Sequence, residues 1–319
     1  MLIDIMNVLV TGGSGLVGKA LQNISNNHKL YKFIFLSSSD CDLENYEETM
    51  ALFKRIKPEF VIHLAANVGG LYKNLISQSS MLEKNLLINS NVLKCAHELK
   101  VRKCISCLST CIFPDKISYS SYPIDETSLH DGPPHESNYG YAYAKRILDV
   151  QSKAYRDQYN DNFICVIPTN IYGKNDNFNL ENAHVIPALI HQCYLAKKNK
   201  KPFIVKGSGR PLRQFIYSID LAKLILWTLE EYNGNANIAL SVGPEEEKTI
   251  ENIARIIAKC FDYEFELIFD TSFSDGQYKK TCSNKKLMEN IETFDFTSIN
   301  IGIKETINWF IENYKICRK

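Results

Sequence analysis

Met6-Asn-Val-Leu-Val10-Thr11-Gly12-Gly13-Ser14-Gly15-Leu16-Val17-Gly18-Lys19-Ala-Leu-Gln22 passes from an apolar run, through glycines at 12, 15 and 18, into a helical start. Met6 to Val10 reads as a buried first strand and Lys19 onward as the opening of a helix. In that setting Gly12 permits the tight turn, Gly15 lets backbone approach a diphosphate, and Gly18 lets helix and strand pack closely. The helix N-terminus then offers unpaired N–H groups and a positive dipole end to the phosphates. Gly12, Gly13, Ser14, Gly15, Leu16, Val17 and Gly18 are therefore the first candidate cofactor-binding residues. A second element, Tyr141-Ala-Tyr-Ala-Lys145, follows about 130 residues later. Either alone says little; together they imply nicotinamide chemistry on a carbonyl.

Working outward, strand-like and helix-like runs alternate. Phe33–Leu36, Phe60–Leu64, Lys103–Leu108 and Phe163–Ile167 read as strands, Met81–Lys100 and Tyr141–Tyr159 as long helices. Such alternation predicts an α/β fold with a doubly wound parallel sheet. Ligands of such sheets sit beyond the carboxyl ends of the strands. That edge carries Gly12, then Leu64-Ala65-Ala66, Leu108-Ser109 and Pro168-Thr169-Asn170-Ile171. Two stretches break the pattern. Phe113–Asn138 holds prolines at 114, 123, 133 and 134 and reads as a functional loop. From Gly173 a mixed region begins, within which Gln214–Tyr217 and Asp220–Glu231 return to the nucleotide domain. The expected division is 1–172 plus about 214–242 for the dinucleotide-binding domain, and 173–213 plus 243–319 for a smaller, interleaved substrate lobe.

The 319 residues, 45% hydrophobic and 23% charged, suffice for a sizeable globular core. A formal net charge of +1 gives no footprint for nucleic acid. Lys197-Lys198-Asn-Lys200-Lys201 reads as a solvated loop after a helix. Residues 1–5 carry Asp4 and no basic segment, so the opening reads as a strand rather than a signal peptide, and no window approaches a membrane span. Ten scattered cysteines suggest a reduced, cytoplasmic chain. No metal site is expected at Cys104-x-x-Cys107-x-x-x-Cys111, because strand positions three apart point to opposite faces and no second ligand pair follows.

Tyr141 and Lys145 share one helical face. A free tyrosine titrates near 10, too high for acid–base work at neutral pH, and an adjacent ammonium is expected to lower it. Lys145 is also placed to hydrogen-bond a nicotinamide ribose, and Ser109 to reach the same carbonyl oxygen as Tyr141. A Ser, Tyr, Lys set beside a dinucleotide loop resembles the short-chain dehydrogenase/reductase superfamily in its extended, nucleotide-sugar-modifying form.

Further segments narrow the resemblance. Leu108-Ser109-Thr110-Cys111-Ile112-Phe113-Pro114, Pro168-Thr-Asn-Ile-Tyr-Gly173, Asn182-Ala-His184-Val-Ile-Pro-Ala188, Gly207-Ser-Gly-Arg-Pro-Leu-Arg213-Gln-Phe215 and Ser274-Asp-Gly-Gln-Tyr-Lys-Lys280 follow in order. Over essentially its whole length the chain resembles the GDP-L-fucose synthase family. That resemblance implies C3 and C5 epimerisation of a 4-keto nucleotide sugar, then hydride reduction at C4. It implies Cys111 and His184 as the epimerising acid and base, His184 also lying beside the cofactor. It places Asn170, Lys206, Arg213, Asp275 and Lys280 on the substrate, and predicts a homodimer through helices 81–100 and 141–159. No acid directly follows Leu36, which favours NADP(H) over NAD(H); Ser38 and Asp42 are expected at the adenosine. Lys206 stands where the family commonly has a tryptophan, and Gln192 where some members have an arginine. The competing readings are an NAD-dependent nucleotide-sugar 4-epimerase or dehydratase and a non-catalytic dinucleotide sensor. A dehydratase wants an Asp-Glu pair where Thr110-Cys111 stands, and a sensor would not keep all of Ser109, Tyr141, Lys145, Cys111 and His184.

Overall fold

The computed structural model describes residues 5–319; residues 1–4, with Asp4, lie outside the described residues. The first half alternates as read: β1 (Met6–Thr11), α1 (Leu16–Ser25), β2 (Tyr31–Phe35), α2 (Tyr46–Ile56), β3 (Phe60–His63), α3 (Leu71–Ile76), α4 (Gln78–Glu98), β4 (Lys103–Cys107), α5 (Tyr139–Tyr159) and β5 (Phe163–Pro168). The second half adds β6 (Asn170–Tyr172), α6 (Val185–Asn199), β7 (Phe203–Lys206), β8 (Leu212–Arg213), β9 (Phe215–Tyr217), α7 (Ser218–Glu230) and β10 (Ile238–Leu240). It closes with β11 (Lys248–Thr249), α8 (Ile250–Cys260), β12 (Leu267–Asp270), α9 (Lys285–Asn290) and α10 (Ile299–Glu312).

Six parallel strands form the central sheet in the order β10-β5-β4-β3-β1-β2. The chain steps from β1 out to β2 and then back past β1 to β3, so the order reverses at β1, where such sheets open a ligand crevice. Alternation along β1 divides the core. Leu9 packs with Val92, Leu93 and Leu148 on the α4–α5 face, while Val8 and Val10 pack with Leu21, Leu221 and Leu224 on the α1–α7 face. Cys104 joins the first cluster and Cys107 borders the second, so this Cys-x-x-Cys spans the sheet from face to face.

The second lobe has its own cluster, in which Ile186 and Ile190 of α6, Ile253 and Ile257 of α8, and Ile303, Ile307 and Phe310 of α10 pack on β7 and β9. Strand β9 pairs with β6 rather than joining the central sheet, and the chain rejoins that sheet only at β10. Leu287, with Phe294 and Phe296 beside it, packs into the α1–α7 face of the central sheet. That stretch thus lies against the dinucleotide-binding half although it falls within 243–319. The proline-rich segment contains three short 3-10 turns, Tyr119–Ser121, Glu126–His130 and Glu136–Asn138. It is stitched to the 277–283 segment: Ile124 N donates to Thr281 O at 2.9 Å, Ser283 N to Ile124 O at 2.7 Å, and Tyr122 Oη to Lys279 O at 2.9 Å.

Candidate active site

At the carboxyl edge of the sheet lies a cleft of about 940 Å³ that reaches across to the second lobe. Its floor begins at the glycine loop. Gly12 has φ +70°, and a Cβ there would sit 2.8 Å from Ala65 N, so only glycine makes this turn against β3. Gly15 caps α1 without a side-chain bond, and a Cβ there would meet only Gly12 O at 3.2 Å, which leaves the helix end open to the cleft. An open helix N-terminus over a side-chain-free loop fits a dinucleotide diphosphate. Gly13 corrects the sequence reading. A Cβ there would meet Phe35 Cβ at 2.7 Å, and its N–H donates to Leu36 O at 2.6 Å, so Gly13 packs on the end of β2 instead of lining the cleft. Gly18 packs against the backbone of Gly12 and Gly13 rather than against a strand.

Every other expected site residue lines this one cleft: Ser14 to Gly18, Ser38 and Asp42, Leu64 to Ala66, Leu108 to Cys111 without exception, Tyr141, Lys145, Pro168 to Ile171, His184, Lys206, Arg213, Asp275 and Lys280. Gln192 lines it as well. Asp40 does not; its carboxylate takes Ser37 N at 2.7 Å and Ser37 Oγ at 2.6 Å, which turns it away. Asp42 stays on the wall, with Oδ1 accepting from Glu44 N at 2.9 Å.

Beneath the cleft runs a buried polar chain that sequence reading did not single out. Thr11 Oγ1 lies 2.8 Å from His63 Nδ1, and His63 Nε2 lies 3.0 Å from Asn89 Oδ1. Burial, then the charge of Lys145, depresses His63 to about 3, so the ring is neutral. Asn89 Oδ1 can only accept, so Nε2 carries the proton and Nδ1 accepts from the Thr11 hydroxyl. Thr11 Oγ1 in turn accepts from Leu64 N and Ala65 N, both at 3.2 Å. The ends of β1 and β3 are thereby locked together under the glycine turn. The signal was a histidine inside the apolar run Phe60–Leu64.

The reacting groups gather where β4 ends. Ser109 caps the 3-10 turn Thr110–Ile112, its Oγ accepting from Cys111 N at 3.4 Å. Lys145 is only 2% exposed and donates from Nζ to Cys107 O at 2.7 Å. Its ammonium lies 5.9 Å from the Tyr141 ring centroid. Contrary to the sequence expectation, Lys145 does not pull the phenol down. Burial, with the Cys111 and Cys107 thiols adding to it, holds Tyr141 well above the ordinary tyrosine value. Burial likewise raises the Cys111 thiol, against the opposing pull of Lys280, the Ser109 hydroxyl, Lys145 and Arg146. His184 caps α6, is exposed to the cleft, and is held below the ordinary histidine range by the protein packed about it.

At the far end Arg213 donates from Nη1 to Leu212 O at 2.7 Å and Tyr278 O at 3.2 Å, and from Nη2 to Gln277 O at 2.6 Å. Burial and this neighbouring guanidinium lower Lys280 to about 8. Two neighbouring cations at one end of a cleft make an anion site. Asp275, on the cleft wall, also accepts from Ser208 N and Ser208 Oγ, each at 2.7 Å. It ties down the Gly207–Gly209 turn. Asn170 donates from N and from Nδ2 to Gln214 O, at 3.2 and 2.9 Å, so the strand end is rigidly placed. Lys206 lies with Nζ 4.8 Å from the Phe273 ring centroid.

Comparison with known proteins agrees with this geometry. Residues 8–243 match the family described as NAD dependent epimerase/dehydratase. A GDP-L-fucose synthase of Dictyostelium discoideum is 53% identical over 98% of this chain and 97% of its own. A probable GDP-L-fucose synthase of Drosophila melanogaster is 51% identical over 98% and 99%. The crystal structure of a GDP-L-fucose synthetase from Naegleria fowleri bound to NADP is 47% identical and superposes with a TM-score of 0.92, covering 98% of this chain and 95% of that one.

Proposed function

The chain belongs to the NAD dependent epimerase/dehydratase family, among its GDP-L-fucose synthases, and from that premise we infer the work of each residue in the cleft. It is an NADP-dependent oxidoreductase with epimerase activity that makes GDP-L-fucose from GDP-4-keto-6-deoxy-D-mannose. One observation carries the residue assignment: Ser109, Tyr141, Lys145, Cys111 and His184 all face a single cleft between the glycine loop and the Arg213–Lys280 pair.

The ketone at C4 makes the protons on C3 and C5 acidic, and removing either leaves an enediolate that needs an oxyanion partner. Ser109 and Tyr141 supply the hydrogen bonds. Inversion at each carbon takes a proton from one face and returns one to the other. His184, neutral in this cleft, accepts, and the Cys111 thiol, kept protonated by burial, donates. Bound NADPH supplies the hydride for C4. Tyr141 then delivers its proton to the C4 oxygen, and its raised titration range keeps that proton in place until needed. Lys145, anchored on Cys107 O, orients toward the nicotinamide ribose. Arg213 and Lys280 hold the diphosphate of the sugar nucleotide, the lobe of 173–213 and 243–319 supplying most of that end. Ser38 and Asp42 face the adenosine, while the Gly12–Gly18 loop and α1 hold the cofactor phosphates.

The test is NADPH oxidation with GDP-4-keto-6-deoxy-D-mannose, the product identified by sugar stereochemistry. The same assay run with NADH checks the cofactor pocket. kcat/KM should favour NADPH, because Asp40 is folded onto Ser37 and no carboxylate on the Ser37–Ser39 turn faces the cleft to claim a ribose 2′-hydroxyl. A clear NADH preference would mean that Asp42 reaches it.

A homodimer suits the outer face of the α4–α5 pair. Leu87 on α4 and Tyr143, Ile147 and Val150 on α5 are exposed apolar side chains, those of α5 recurring at helical spacing on one stripe. A second copy of the chain, laying the same two helices antiparallel or parallel to these, closes a four-helix layer. Sedimentation should give a dimer, and Ile147→Asp should shift it toward monomer; a monomeric wild type would refute the arrangement. No helix among the described residues is long and apolar enough to cross a membrane. Ten free thiols suit the reducing cytoplasm.

A further inference from the structure

We infer that Arg146 is a positioning residue for Cys111, holding the turn that carries the thiol and giving it a cation that no carboxylate neutralises. This rests on the acid–base role proposed above for Cys111. Arg146 is 7% exposed, and its Nε donates to Ile112 O at 2.6 Å, the last residue of the 3-10 turn with Cys111 at its centre. Its Nη2 is buried and has no hydrogen-bond partner. The groups acting on its charge are Tyr143, whose ring centroid lies 5.7 Å from Cζ, and Cys111 itself; among the described residues it forms no ion pair.

A buried guanidinium with an idle nitrogen is costly to keep. A neutral amide at this position would tie down the Ile112 carbonyl at lower cost, so the bond alone does not account for the charge. The groups facing Cys111 are Ser109 from its own turn, Tyr141, Lys145 and Arg146 from α5, and Lys280 from the 277–283 segment, which has Arg213 and Asp115 beside it. Burial drives the thiol up, and Lys280, Ser109, Lys145 and Arg146 draw it back. Two of these cations are committed elsewhere. Lys280 meets the substrate diphosphate, whose negative charge cancels its field at the thiol. Lys145 is held on Cys107 O and serves the cofactor. Arg146 is not among the residues that line the cleft, so no ligand neutralises it. Its field on Cys111 persists when substrate is bound, when the thiol must exchange a proton.

Substitutions in the full-length chain separate the bond from the charge. Arg146→Gln keeps a donor for Ile112 O and removes the charge; Arg146→Lys keeps the charge; Arg146→Met is a second neutral variant should the glutamine protein not fold. Alkylation of Cys111 by iodoacetamide, followed by peptide mass spectrometry across pH, reads the thiol directly. The neutral variants should raise its midpoint by about one pH unit, slowing alkylation about tenfold at fixed pH below it, and Arg146→Lys should hold the wild-type midpoint. The difference should survive saturation with GDP, the probe for the diphosphate site. In turnover, kcat should fall, because a thiol that titrates higher is a weaker proton donor, while KM for the sugar nucleotide holds, because Arg146 does not line the cleft. An unmoved midpoint in the neutral variants, or an equal rise in Arg146→Lys, would overturn the inference and leave the role of Cys111 intact. Wild-type solvent exchange by Cys111→Ser would instead remove that role and leave the alkylation result standing.

Discussion

Tyr141→Phe is expected to lose NADPH-dependent reduction by about 10²–10⁴-fold or more, while cofactor binding is retained. In the mechanism proposed above, the phenol, which lines the same cleft as Ser109, is the proton donor to the C4 oxygen, and burial keeps it protonated through neutral pH. Removing the hydroxyl leaves Lys145 on Cys107 O and the glycine turn untouched, so a cofactor titration should be close to wild type. The sign for pH follows from the upward shift. A raised phenol does not lose its proton as pH climbs from 6 to 9, so the donor imposes no alkaline limb there. A loss of reduction in that range belongs to another group; of those lining the cleft, Lys280, lowered to about 8, and Asp176, raised to about 7, titrate there, and KM examines the first. Unimpaired reduction by the phenylalanine variant would remove Tyr141 as the donor.

Much of this site is legible in the amino-acid order alone. The apolar runs mark β1, β3, β4 and β5 to within a residue or two, because strands buried on both faces carry mostly apolar side chains. The order of chemical residues at their ends then follows from the topology, since every parallel strand delivers its carboxyl end to one edge. Long-range pairings are not legible in the same way. Gly13 reads as part of the phosphate cradle, yet its neighbour is Phe35 on β2, a contact that no local spacing encodes. Asp275 reads as a hydroxyl ligand and does line the cleft, but its bonds to Ser208, 67 residues away, are a pairing that no local spacing encodes. Helical spacing overstates the influence of Lys145 on Tyr141, because it gives a shared face but not where an ammonium ends. Here the nearest strong acceptor is a strand-end carbonyl, and it wins the ammonium. His63 is visible as an ionisable residue in an apolar run, but its partners Thr11 and Asn89 lie 52 and 26 residues away.

In deuterated water, the wild type should place solvent deuterium at both C3 and C5 of the product, and two substitutions should divide that labelling. Cys111→Ser should exchange slowly, about 10²–10⁴-fold below wild type, since a hydroxyl is a far weaker acid and base than a thiol near neutral pH. His184→Asn should leave at least one centre uninverted and release a C4-reduced sugar of the wrong configuration, because Tyr141, Ser109 and Lys145 remain to carry hydride reduction. With Tyr141 assigned to the C4 oxygen in the proposed mechanism, two further groups are needed, because no single group can both remove a proton from one side of a ring carbon and restore it to the other. Among the titratable groups that line the cleft, Cys111 on the turn after β4 and His184 at the start of α6 come from separate elements. Burial sets their resting states apart, raising the thiol and lowering the imidazole, so donor and acceptor coexist at neutral pH. Wild-type exchange and inversion in both variants would mean that other groups perform the epimerisation, while the reductase half, resting on Ser109, Tyr141 and Lys145, would be unaffected.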